Sequence, residues 1–237
     1  MGQSDKPLTP HGTSQAEVDA FLRKAASVPS ANQVGRGRLL FALDATASRE
    51  PTWREAARIQ ADMFREAASL GGLTIQLAYY RGFAEFAATP WLGDAEALLR
   101  SMNRVRCLGG NTQIGKVLDH AIAESRARKI NAVVFVGDCM EEDVDALCRQ
   151  AGELGLLGVP LFLFHEGDDA VAGRAFAQMA RLSGGACCRF DAASPQQLRD
   201  LLGAVAAYAA GGRRALGDYS ARHGGIARLL TSQVKGA

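Results

Sequence analysis

The sequence predicts an α/β protein: a doubly wound, mostly parallel six-stranded sheet with helices on both faces and one antiparallel edge strand. Three observations carry this. Short, fully apolar runs recur, as at residues 132–136 and 160–164. Segments with helical apolar spacing separate them, which is how parallel strands are connected and covered on both faces. One stretch only, Phe83, Ala84, Glu85 and Phe86, alternates after a tight turn at Arg81-Gly82, the pattern of a hairpin at a sheet edge.

The elements follow in order. Residues 1–14 are polar with two prolines and are expected to be disordered. Residues 16–26 carry Val18, Phe21, Leu22 and Ala25 at helical spacing. A linker leads to the first strand at 38–44. Pro51 opens a helix at its favoured first-turn position, and Gly71-Gly72 ends it. A strand at 73–80 precedes the edge hairpin, and 94–103 reads as a short helix. A glycine-containing loop at 108–112 leads into a helix ending near Lys129, with Ile114, Val117, Leu118, Ala121 and Ile122 on one face. Strands at 132–136, 160–164 and 186–190 then alternate with helices at 143–156 and 170–182. A last helix runs from Pro195 to about Ala210. The result is Rossmann-like. The domain reading is an N-terminal tail with a short helix (1–35), one α/β domain (36–210) and a basic C-terminal tail (211–237). That tail carries Arg213, Arg214, Arg222, Arg228 and Lys235 against a single acid, Asp218; its Ile226, Leu229 and Leu230 could dock a short helix, but it is expected to be solvated.

Composition excludes several function classes. A net charge of +2 gives no footprint for a nucleic-acid partner. No apolar run approaches the ~18 residues of a membrane span, and the polar N-terminus lacks a signal-peptide core. Five cysteines, odd in number and without a C-x-x-C pair, fit a reducing compartment and core packing. A cytoplasmic location is the expectation.

The candidate site begins where the first strand ends. Asp44, Thr46 and Ser48 are hard oxygen donors at alternate positions. In open α/β sheets, ligands bind outside the carboxyl ends of strands. Two further segments end at the same pole: the loop holding Thr112, flanked by Gly109, Gly110 and Gly115, and the 132–136 strand, followed by Asp138. Two carboxylates with neutral hydroxyls make a Mg²⁺-type donor set rather than one for zinc or copper. Glu141, Glu142, Asp143 and Asp145 crowd the following helix start, where acids suit the helix dipole.

These three pieces, in this order, resemble the metal-ion-dependent adhesion site (MIDAS) of the von Willebrand factor A (VWA) domain family. Asp44-x-Thr46-x-Ser48 is similar to that family's Asp-x-Ser-x-Ser, Thr112 to its loop threonine, and Asp138 to its second aspartate, over about residues 36–210. Thr46 stands in place of a serine and Cys139 in place of a glycine; neither change removes a ligand. The resemblance implies Mg²⁺ (or Mn²⁺ or Ca²⁺) held by Asp44, Thr46, Ser48, Thr112 and Asp138. It also implies a partner protein whose acidic side chain fills the open metal position, meeting Gly110, Asn111, Cys139 and Glu141. Binding, not catalysis, is therefore expected.

Two enzyme readings compete. Gly110 to Lys116 nearly matches a P-loop, but Val117 stands where the Mg²⁺-binding hydroxyl belongs. Asp44 could serve as a phosphatase nucleophile, but Thr46 replaces the acid–base aspartate such chemistry uses. A metal-free scaffold binding through helices or the basic tail is the third alternative. His120, on a helix among charged neighbours, is expected at the surface.

Overall fold

A computed structural model describes residues 37–50, 73–190, 195–223 and 230–234. The chain divides into two units, Met1–Gly35 and Arg36–Ala237, and all described residues belong to the second. The helices expected over 16–26 and 51–70 lie outside the described residues.

Six strands form one sheet: β1 (Gly37–Asp44), β2 (Leu73–Arg81), β3 (Glu85–Ala88), β4 (Ala132–Gly137), β5 (Leu161–Glu166) and β6 (Ala186–Phe190). Their order is β3-β2-β1-β4-β5-β6. Every neighbouring pair is parallel except β2 and β3. The edge strand starts two residues later than the alternation suggests, because 82–84 form the turn itself. Besides a single-turn helix at Ala47–Arg49 and helical residues at 230–233, five α-helices are described: α1 (Ala95–Met102), α2 (Ile114–Ala127), α3 (Val144–Leu156), α4 (Ala170–Ser183) and α5 (Pro195–His223).

Strand side chains point alternately to the two faces, and each face has its own core. Leu39, Phe41 and Leu43 of β1 pack with α1 and α5, through Leu98, Met102, Leu202 and Val205. Leu40 and Ala42 pack on the opposite face, against α2, α3 and α4 through Val117, Leu118, Leu147 and Phe176. Apolar residues on both faces of one strand explain why 39–43 reads as an unbroken run.

The C-terminal segment corrects an expectation. The helix does break after Ala210: Gly211 and Gly212 leave helical geometry, Gly212 at φ 65°, where glycine carries no Cβ penalty. Helix then resumes to His223. Leu216, Tyr219, Leu230 and Val234 are buried in the same cluster as the first half of α5. The Tyr219 ring lies on Gly203, where an added Cβ would come 2.2 Å from its hydroxyl. Arg213, Arg214 and Arg222 are on the exposed side. The segment is thus not a solvated tail; its arginines dominate the composition but occupy only the outer face.

Candidate metal site

Strand order places the site. β1 lies between β2 and β4, so the chain's connections diverge there, and the crevice beyond the carboxyl ends of β1 and β4 is the switch point of the sheet. Leu43 pairs with Val136. The next residue on β1 is Asp44, and Asp138 lies two beyond Val136, so two sequence-distant carboxylates end as neighbours.

Asp44 is fully buried. Its Oδ1 accepts from the Thr46 amide at 2.8 Å, and its Oδ2 accepts from the Tyr80 hydroxyl at 2.9 Å. Burial raises its pKa; these hydrogen bonds pull it down and the charge of Asp138 raises it further. Asp138 is partly exposed, yet its Oδ1 is buried and accepts no hydrogen bond among the described residues. A buried carboxylate oxygen without a donor is costly unless a cation or donor reaches it.

The hydroxyls lie around this pair. Thr46 Oγ1 and Ser48 Oγ are 3.1 Å apart, Thr46 buried and Ser48 exposed. Thr46 also forms a β-bridge with Leu108, and the Leu108 amide donates to the Ala45 carbonyl, which draws the 108–112 loop to the end of β1. Gly110 permits a second close approach: a Cβ there would sit 1.9 Å from the Gly82 carbonyl oxygen in the β2–β3 turn. Thr112 is buried and exchanges two hydrogen bonds with Glu141. Its amide donates to Glu141 Oε2 at 3.0 Å, and its Oγ1 accepts from the Glu141 amide at 2.9 Å. That leaves the Thr112 hydroxyl with unused bonding capacity.

The structure thus brings Asp44 and Asp138 together and adds Cys139, whose sulfur and the two carboxylates lie within 4.8 Å of one another. Burial, then the charges of Asp138 and Asp44, push its thiol up to about 12. Among the other residues expected to meet a partner, Asn111 is exposed, Gly110 packs on the hairpin turn, and Glu141 turns its carboxylate back onto Thr112.

Two contributors escape sequence reasoning. Tyr80 stands in register with Asp44 on the neighbouring strand, and the pairing alone reveals it. Arg49, in the single-turn helix Ala47–Arg49, is 1% exposed and ion-paired with Glu166 at the end of β5. Burial lowers its pKa, while the charges of Asp138 and then Asp44 hold it up. Arg49 thus pairs with Glu166 and also lies within electrostatic reach of both aspartates.

The acidic run after Asp138 has split roles. Asp143 caps α3 by accepting from the Ala146 amide at 2.7 Å. Glu142 instead accepts from the Ile114 and Gly115 amides at 2.6 and 2.8 Å, capping α2 from across the crevice. Those are the N–H groups a P-loop would turn toward phosphate. Lys116 points elsewhere, to the Ala84 carbonyl and Gln113 Oε1, both at 2.7 Å. His120 corrects its surface expectation: it is half-buried, 2.9 Å from Gln76 Oε1 and against the Phe86 ring.

Fold and site together define a class: a doubly wound α/β domain with an acid and hydroxyl cluster at its switch point. No protein-family model matches the sequence, and no curated protein matches it. Solved structures do. A von Willebrand factor type A protein from Catenulispora acidiphila superposes at a TM-score of 0.59 and 16% identity, over 73% of this chain and 43% of that one. The vWF domain of the type V pili tip protein Mfa5 from Porphyromonas gingivalis gives 0.58 and 10%, over 72% and 94%. The mussel byssus proximal thread matrix protein 1, with a zinc-occupied MIDAS motif, gives 0.57 and 16%, over 72% and 48%. The chain has the von Willebrand factor A fold. It spans less than half the length of two of these three proteins. Among the described residues, no helix is long and apolar enough to cross a membrane.

Proposed function

We propose that this chain is a metal-dependent protein-interaction module and not an enzyme. Asp44 and Asp138 hold a divalent cation at the ends of β1 and β4. Thr46, Ser48 and Thr112 supply neutral oxygens, directly or through water. An acidic side chain of a partner protein completes the shell. The observation that carries this reading is the convergence of a buried carboxylate, Asp44, with the buried, undonated Oδ1 of Asp138. Two adjacent negative charges at a strand-end crevice call for a cation. The oxygen donors suit Mg²⁺, with Mn²⁺ and Ca²⁺ as related choices. The zinc-occupied MIDAS of the mussel protein supports a divalent ion at this place in the fold. The five free cysteines favour the reducing cytoplasm.

Only a cation left short of ligands by the protein attracts a third carboxylate, so partner binding depends on the metal. Selection from a random peptide library in Mg²⁺, with elution in EDTA, tests this. Enriched peptides carry Asp or Glu at one shared position, and Asp138→Ala enriches none of them. Peptides retained equally in EDTA would favour a metal-free scaffold. Steady phosphate release from ATP or a phosphate ester, lost in Asp44→Asn, would overturn the interaction reading.

A further inference from the structure

Cys139 brings sulfur to a site otherwise built of oxygen. Its Sγ and one carboxylate oxygen from each of Asp44 and Asp138 lie within 4.8 Å of one another. Two donors to one ion can be no farther apart than their two bonds laid end to end. For oxygen and sulfur on zinc that limit is about 4.4 Å. Around a tetrahedral ion such donors stand about 3.5 Å apart, so closing all three on one ion takes a movement of up to about 1.3 Å between donors, within the reach of side-chain rotation.

The backbone holds the thiol there from both sides. Asp138 directly follows β4, and Glu141 is tied to Thr112 by the paired hydrogen bonds. Met140, between them, is buried in the core under α3. The segment 138–141 is thus anchored at each end, and Cys139 faces two carboxylates instead of the apolar surroundings a packing cysteine takes. The Cys139 thiol lies within hydrogen-bonding reach of the Asp138 carboxyl, whose buried Oδ1 has no other donor among the described residues.

Resting on the metal-site reading above, we propose that Cys139 is a direct ligand, so that the site holds a zinc-class ion more tightly than Mg²⁺. Thiolate is a soft donor that suits Zn²⁺ or Co²⁺, whereas Mg²⁺ takes oxygen. On coordination the metal–sulfur bond replaces the S–H bond, and the proton passes to solvent. With Asp44, Asp138 and Cys139 as the direct ligands and Thr46, Ser48 and Thr112 outside the direct shell, a four-coordinate zinc ion would keep one open position. The partner's carboxylate takes it.

The test uses the full chain, stripped with EDTA and titrated with Co²⁺, then Zn²⁺ and Mg²⁺. In the wild type, Co²⁺ produces a near-ultraviolet sulfur-to-cobalt charge-transfer band, and Zn²⁺ bleaches it. In Cys139→Ser the band is lost and Zn²⁺ affinity falls by about tenfold or more, while Mg²⁺ affinity stays within about twofold. A band that survives in Cys139→Ser comes from another cysteine and overturns the proposal. Equal stabilisation of both proteins by Co²⁺ without a band also overturns it and leaves the metal-site reading standing. No melting shift with any ion overturns both. Should Cys139→Ser not fold, alkylation of the wild type decides, read by peptide mass spectrometry. Zn²⁺ but not Mg²⁺ shields Cys139 from iodoacetamide; equal labelling in both refutes the ligand role.

Discussion

Asp44→Asn separates the charge of the site from its shape. The Asp44 side chain is fully buried and makes two hydrogen bonds, from the Thr46 amide and the Tyr80 hydroxyl. Asparagine keeps the first with its carbonyl oxygen, and its amide can donate to the Tyr80 oxygen in place of the second. Little bonding is lost, and a buried negative charge beside Asp138 is removed. In EDTA the variant is therefore expected within about 1 kcal/mol of the wild type. With a divalent ion the two proteins separate. Binding to the native state alone at a hundredfold excess over Kd adds about 2.7 kcal/mol. For a chain of this size that raises the melting temperature by about 5–10 °C. The variant, with half the site's carboxylate charge gone, gains a small part of this. Thermal melts of both proteins, in EDTA and across a metal titration, provide the assay. Equal shifts in the two would refute Asp44 as a ligand. A loss above about 3 kcal/mol in EDTA would show that the carboxylate serves packing instead.

Four other outcomes are expected. Arg49→Met leaves Glu166 without its partner and costs about 3–5 kcal/mol in urea unfolding, whereas Arg49→Met with Glu166→Leu recovers most of the loss. Glu142→Ala removes the acceptor for two amides at the start of α2 and costs about 1–2 kcal/mol, with faster hydrogen exchange at Ile114 and Gly115. Tyr219→Ala empties a buried ring site beside Gly203 and costs about 3–5 kcal/mol, measured by denaturant unfolding; a solvated tail would show no effect. Burial holds the pKa of His120 below its ordinary 6.5, so the unfolded chain takes up this proton first. Stability is then flat for this group above pH 6.5 and falls as pH drops through the interval down to the folded value. His120→Gln flattens that part of the acid-side slope in unfolding measured across the interval.

Most of the architecture is legible in the amino-acid sequence. Apolar runs at 39–43, 132–136 and 161–164 are strands because both their faces are buried, a requirement each run carries locally. The sequence also offers Asp44, Thr46, Ser48, Thr112 and Asp138 as candidate ligands, since strand ends and a glycine-containing loop are visible as local punctuation. Helical periodicity likewise located α2, α3 and α4. Beyond Gly211 the sequence pointed to docking at Leu230 but not at Leu216 and Tyr219, whose apolar signal is masked by arginines on the outer face.

The surroundings of the two aspartates come from contacts between elements distant in the chain. Tyr80 reaches Asp44 through strand register, Arg49 reaches Glu166 across β1 and β5, and Glu142 caps a helix 28 residues away in sequence. Cys139, next to Asp138 in the chain, becomes a neighbour of Asp44 for the same reason. Periodicity in a sequence reports which face of an element is apolar. Which strands stand side by side depends on long-range pairing, and the chemistry at the switch point is set by that pairing.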